Sequence, residues 1–167
     1  MPESATLELT APDPPATLAI GASLALALDP APAAPLVIGL RGELGAGKTT
    51  LVRGFLRALG ITGTVRSPTF TLLESYSAGP LEIVHLDLYR VDLPVEIESL
   101  GVRELVEPGR VFLIEWPERG QGALPPADLE AELSVAHPGR RIAIRALSSA
   151  GKRVLSRLTQ AAARQRL

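Results

Sequence analysis

The chain has 167 residues, a net charge of −1 and no cysteine. That length suits a single domain with a sizeable core and leaves no room for a nucleotide-binding unit plus a large second one; residues 1–12 and 152–167 are expected at its periphery. Without cysteine, disulfides and thiolate metal sites are excluded. The alanine- and leucine-rich stretch Ala16–Leu28 is too short to cross a bilayer, which takes about 20 residues, so a soluble cytoplasmic protein with no membrane contact is expected.

In chain order, Thr6–Thr10 alternates apolar and polar residues as an edge strand would, and Asp13 ahead of Pro14 and Pro15 is a plausible helix cap. Leu18, Ala19, Ala22, Ala25 and Leu26 predict a helix that ends near Leu28, before Pro30, Pro32 and Pro35. Leu36–Leu40 is a short apolar run that reads as a buried strand. Gly42-Glu43-Leu44-Gly45-Ala46-Gly47-Lys48-Thr49-Thr50 then fits the phosphate-binding pattern of a glycine, four residues and Gly-Lys-Ser/Thr. Its glycines let the backbone curl around a polyphosphate, Lys48 adds a positive charge, and the Thr49 hydroxyl is placed for Mg²⁺. Leu51, Val52, Phe55, Leu56 and Leu59 give the helix that must follow.

Beyond Gly60–Arg66, Ser67–Thr71 is a polar loop, and Leu72–Tyr76 with Leu81–Leu86 reads as an antiparallel hairpin. Asp87 closes the second of these strands. An acid there suits a Walker B role, and capping of the next turn is the alternative. Pro94–Leu105 is predicted helical, with Gly101 as its weak point. Val111–Ile114 is apolar on both faces, as a central strand is, and ends in Glu115. That carboxylate is a candidate for Mg²⁺ or for orienting water, or else a rim charge paired with an arginine. Trp116 suits packing or nucleotide stacking equally. Leu129–Val135 and Ile142–Ala146 predict a closing hairpin, and Ser148–Leu167 a polar, arginine-rich helix. Residues 1–137 carry 9 Lys/Arg against 18 Asp/Glu, while residues 138–167 carry 8 Lys/Arg and no acid. A solvated helix face or a contact with RNA or an acidic partner accounts for that basic end.

The pattern argues against some relatives of the phosphate loop. Guanine-specific switches read their base with Asn-Lys-x-Asp, and the chain has no asparagine. The Leu-Ser-Gly-Gly signature of transporter ATPases is also missing. A small-molecule kinase remains an alternative, without a clear arginine-bearing lid, and so does a nucleotide-dependent binding module whose hydrolysis is incidental.

Taken together, Gly42–Thr50, Ser67-Pro68-Thr69-Phe70-Thr71-Leu72, His85-Leu86-Asp87-Leu88-Tyr89-Arg90 and Ile114-Glu115-Trp116-Pro117-Glu118 resemble the TsaE (YjeE) family, the bacterial ATPases required for threonylcarbamoyladenosine (t6A) formation in tRNA. The resemblance runs from about Thr17 to Gly151, including Gly21 and Ser148-Ser149-Ala150-Gly151. It implies an α/β, P-loop NTPase-like fold: a mostly parallel central sheet with antiparallel hairpin additions and flanking helices. It also implies ATP and Mg²⁺ as cofactors. ATP would contact Gly45, Ala46, Gly47, Lys48, Thr49 and Thr50, with Trp116 beside it. Lys48, Asp87, Glu115 and Thr69 would be catalytic, Thr69 in a switch-like loop near the γ-phosphate. Thr49, Glu115 and Asp87 would serve the metal. The implied partners are TsaD and TsaB, which modify adenosine 37 of tRNAs reading codons that begin with A; tRNA itself would be met indirectly or through the basic C-terminal tail. Low intrinsic turnover is expected, because no arginine finger is obvious in cis; Arg66 and Arg90 are nearest in sequence.

Overall fold

The computed structural model describes residues 4–65 and 67–165. Seven strands form one sheet: β1 (Thr6–Ala11), β2 (Leu36–Arg41), β3 (Leu73–Ala78), β4 (Leu81–Asp87), β5 (Arg110–Glu115), β6 (Leu129–Ala136) and β7 (Gly139–Ala146), in the order β1-β7-β6-β2-β5-β4-β3. The middle is parallel, through the β6–β2, β2–β5 and β5–β4 pairs, and both flanks are antiparallel. This is the α/β architecture expected, with hairpins added at the edges of a parallel centre.

β2, β4 and β5 are apolar at successive positions and lie inside with both faces buried, period-two alternation sending neighbouring residues to opposite sides. Ile38, Leu40, Ile83, Val111 and Leu113 point to one face, where they pack with the helices α1 (Pro14–Leu26), α2 (Lys48–Ala58) and α4 (Ser149–Gln165). Val37, Val84, Leu86, Phe112 and Ile114 point to the other, against Val91, Ile97 and Val102. The Asp13 carboxylate caps α1 by accepting from Ala16 N at 2.9 Å.

Helices α1 and α2 cross closely, and glycines make this possible. A Cβ on Gly21 would lie 2.1 Å from the Leu51 carbonyl oxygen, and one on Gly54 2.1 Å from that of Leu18. Both obstacles are backbone, so relief requires moving a helix. Gly54→Ala is therefore expected to lower stability by about 1–3 kcal/mol, the overpacking cost outweighing a helix-propensity gain of about 1 kcal/mol. Urea unfolding with an unchanged m-value checks this.

Two expectations need correction. The helix predicted over Pro94–Leu105 is broken: α3 covers only Pro94–Glu98, and a 3₁₀ turn occupies Arg103–Leu105. Gly101, at φ +71°, takes the left-handed conformation that ends helices. The terminal helix is not polar all round. Val154, Leu155, Leu158 and Ala162 are buried in the core beside the sheet, and only its other face is charged. Ser148 caps this helix, its Oγ accepting from Gly151 N at 3.0 Å and donating to Asp128 Oδ1 at 2.6 Å. Asp128 also accepts from Val37 N at 2.8 Å, so one carboxylate ties the starts of α4 and β2 together. Among the described residues no helix is long and apolar enough to cross a membrane.

Candidate functional site

Sheet register brings the polar groups together. Glu115, last in β5, pairs with Leu40 of β2 on one side and with Asp87, last in β4, on the other. The glycine loop leaves β2 just beyond Leu40, so both acids stand at neighbouring carboxyl ends beside it, where open α/β sheets hold ligands. The loop is tightly seated. A Cβ on Gly42 would lie 2.5 Å from the Leu133 carbonyl oxygen, and Gly47, at φ +107°, turns the chain into α2.

Lys48, first in α2, folds back over the loop and donates from Nζ to the Gly42 carbonyl and, at 2.9 Å, to that of Glu43. Its ammonium also lies 4.2 Å from the Trp116 ring centre. Burial lowers the lysine's pKa; the charges of Glu115, Asp87 and Glu118 oppose that shift. Thr49 follows with its hydroxyl donating to Glu115 Oε1 at 2.9 Å. The other carboxylate oxygen, Oε2, is 2.6 Å from His85 Nε2. Glu115 is only 2% exposed, and among the described residues no arginine pairs with it; its burial argues against the rim-charge alternative.

Asp87 makes the cap that was one of the two readings weighed for it, and its second oxygen holds the polar loop. Its Oδ1 accepts from Tyr89 N at 3.0 Å and so caps the next turn. Its Oδ2 accepts from the Ser67 and Thr69 hydroxyls, the latter at 3.3 Å. The loop Ser67–Leu72 is thereby fastened to the end of β4, helped by Asp87 N donating to the Leu72 carbonyl at 3.1 Å. Leu72 adopts φ +64° to make this return, an uncommon conformation for a branched side chain.

Trp116 also has positive φ, +59°, and its ring lies 5.1 Å from that of Tyr89. The twist after β5 turns the indole over Lys48, so it packs and borders the site at once. Leu44, Gly45, Lys48, Thr49, Ser67, Thr69, Asp87, Tyr89, Arg90, Glu115 and Trp116 line a cleft of about 680 Å³. Arg90 stands at its mouth, 4.4 Å above the Phe70 ring, while Arg66 lies outside the described residues. A second cleft of about 530 Å³, lined by Asp13, Thr17, Gly47, Thr50 and Arg140 among others, opens on the other side of the loop.

Of the sequence-predicted site residues, Gly45, Lys48, Thr49, Thr69, Asp87, Glu115 and Trp116 line the first cleft, Gly47 and Thr50 line the second, and Ala46, within the loop, is buried. Among the described residues no group of three or more His, Asp or Glu side chains gathers as a metal site. The oxygens along this cleft that could hold a metal are those of Thr49, Glu115 and Asp87. Hard oxygens in small number fit Mg²⁺, which keeps waters and takes its remaining ligands from phosphate.

Comparison with known proteins gives the family and the fold. Residues 11–143 match the family model described as threonylcarbamoyl adenosine biosynthesis protein TsaE. The chain belongs to the TsaE family. The Haemophilus influenzae tRNA threonylcarbamoyladenosine biosynthesis protein TsaE is 43% identical over 121 residues, 72% of this chain and 77% of that one. The Bacillus subtilis TsaE protein is 44% identical over 94 residues, 56% of this chain and 58% of its own length. The crystal structure of Bacillus subtilis YdiB superposes with a TM-score of 0.76 at 30% identity, covering 96% of this chain and 98% of that one.

Two residues at the TsaE site went unnoticed in sequence. His85 was visible as the start of a motif; its signal was a polar residue inside an apolar strand, two positions before Asp87 and therefore on the same face. Arg140 sits at a hairpin corner far along the chain, and nothing local marks it.

Proposed function

We propose that this chain is a Mg²⁺-dependent ATPase that supports t6A formation in tRNA together with TsaD and TsaB. The observation that carries the reading is the convergence of a lysine-bearing glycine loop, the Thr49–Glu115 pair and the Asp87-tethered loop in one cleft. The triphosphate would follow the loop from Thr50, on the second cleft, to Lys48 in the first. The second cleft, beside Thr50, would be the place for the base. Mg²⁺ held beside Thr49, Glu115 and Asp87 would supply charge neutralisation on the terminal phosphates.

The chain's own residues then have distinct tasks. Lys48 leaves the Gly42 and Glu43 carbonyls to meet phosphate oxygens. Glu115 stays in place because His85 and Thr49 hold both of its oxygens. Thr69, fastened to Asp87, reports the terminal phosphate to the exposed loop around Phe70. Arg90, stacked on Phe70, is not aimed at the phosphates, which is consistent with slow turnover in isolation. A stimulated enzyme has 10³–10⁵-fold to gain when such a charge is supplied, by Arg90 or in trans.

The test is phosphate release from labelled ATP, with and without the TsaB–TsaD pair. Stimulation by the pair and multi-turnover tRNA modification that requires this chain are expected. Transfer of label to a small metabolite would instead establish a kinase. A hydrolysis-dead variant that still supports full modification would make the chain a binding module.

Lys48 gives this reading a pH signature. Burial holds its pKa down in the free protein, and an adjacent polyphosphate anion would raise it. In alkaline solution binding should therefore take up a proton, and nucleotide affinity should fall as pH rises through the lysine's lowered pKa. Calorimetry in buffers of different ionisation enthalpy measures that uptake; proton release on binding would contradict a lysine–phosphate contact.

A further inference from the structure

The carbonyls of the glycine loop are held by two cations from different parts of the chain. Lys48 takes those of Gly42 and Glu43. Arg140, the second residue of β7, takes a second pair beyond Leu44: its Nε donates to the Ala46 carbonyl at 3.1 Å and its Nη2 to the Gly45 carbonyl at 3.2 Å. Nη1 donates to the Gly139 carbonyl at 3.0 Å, which fixes the guanidinium plane. The Arg140 backbone is itself anchored on both sides, paired with Val135 in β6 and with Ala11 in β1. Among the described residues no carboxylate forms an ion pair with it. The guanidinium is thus committed to the loop.

Peptide planarity turns these bonds into a constraint on the loop. A carbonyl and the following N–H belong to one rigid unit and point in opposite directions. Holding the Ala46 oxygen toward the hairpin turns the Gly47 N–H away from it. The Gly45–Ala46 unit is fixed at both ends, because Ala46 N donates to the Glu43 carbonyl at 3.0 Å. Gly45, at φ +80°, and Gly47 are the residues at which these planes would otherwise swing.

We infer that Arg140 is a positioning residue that presets the loop for anions. Its bidentate grip keeps the Gly45 and Ala46 oxygens facing outward. When Lys48 exchanges the Gly42 and Glu43 carbonyls for phosphate, Arg140 is the brace that stays. A carbonyl swinging inward would place its negative end against the anion, and the loop would have to be reordered at the expense of affinity. This inference rests on the ATP reading of the loop for its consequence, though not for the brace itself.

The test uses the full chain with Arg140→Lys and Arg140→Ala. Lysine keeps the charge and lacks the planar fork, so it cannot grip two carbonyls in the same way. Both variants are expected to lose about tenfold or more in affinity for Mg·ADP and for Mg·pyrophosphate alike. In the ligand-free protein, amide exchange at Gly45, Ala46 and Gly47 should accelerate, while exchange in the central strands stays unchanged. Full affinity in Arg140→Lys would overturn the brace in favour of charge alone. A loss confined to ADP would overturn it in favour of a nucleoside contact, and so would unchanged loop exchange in both variants. Should the unsubstituted chain bind neither ligand while loop exchange still accelerates in the variants, the ATP reading falls and the brace stands.

Discussion

Replacing Glu115 by glutamine is expected to cut ATP hydrolysis by about a hundredfold or more and to leave nucleotide affinity unresponsive to added Mg²⁺. The substitution keeps the size of the side chain and removes only its charge. Thr49 Oγ1 and His85 Nε2 approach the two carboxylate oxygens at 2.9 and 2.6 Å, so the group is already oriented where strand β5 ends. An amide can accept from one of these partners and must present its NH₂ to the other. The cost of that mismatch in a buried place is about 1–3 kcal/mol of stability, small enough to leave a folded protein to assay. Thr49→Ala should share the loss of Mg²⁺ response, because it removes the adjoining oxygen. Lys48→Ala should differ, weakening nucleotide binding whether or not Mg²⁺ is present. Equilibrium titration of ADP across Mg²⁺ concentrations separates the two classes, and Glu115→Gln with an intact Mg²⁺ response would remove Glu115 from the metal site.

Much of this site could be read before folding, for a physical reason. A short apolar run followed by glycines and an amphipathic helix is local information, and β2, the loop and α2 obey it. An acid that ends an apolar run marks a strand's carboxyl end, which located Asp87 and Glu115. Their adjacency was not local: it depends on β4 and β5 pairing in a register that sets Asp87 opposite Glu115. The His85–Glu115 contact spans 30 residues and the Arg140 contact with the loop 94, so neither leaves a trace in spacing. Trp116 was legible as a large aromatic beside the site, whereas the left-handed backbone that aims it over Lys48 was not. Gly101 reads as a weak point in the sequence, and the chain goes further and breaks the helix there.

Removing residues 152–167 is expected to unfold the protein or leave it aggregated, before any effect on assembly can be read. The excess of arginine in this segment suggests a peripheral basic tail. Val154, Leu155, Leu158 and Ala162 recur at helical spacing, however, and all four are at most 5% exposed within the core beneath the sheet. Burial of each larger side chain is worth on the order of 1.5–3 kcal/mol, so the loss would rival a whole domain's stability of about 5–15 kcal/mol. Arg157 adds a bond to the Ala27 carbonyl at 3.0 Å, which ties α4 to the end of α1. Circular dichroism and thermal melting of the truncated chain check this, and a cooperative transition near that of the full chain would contradict it. Charge must therefore be tested without deletion. Lys152, Arg153 and Arg164 are exposed on the opposite face of α4 and can be changed to glutamine together while Val154, Leu155, Leu158 and Arg157 stay. If that face meets tRNA or an acidic partner, the triple variant melts normally and assembles more weakly at moderate salt, with the difference shrinking as salt rises. Equal assembly at every salt concentration would make the charges a solvating surface over a helix whose work is on its buried side.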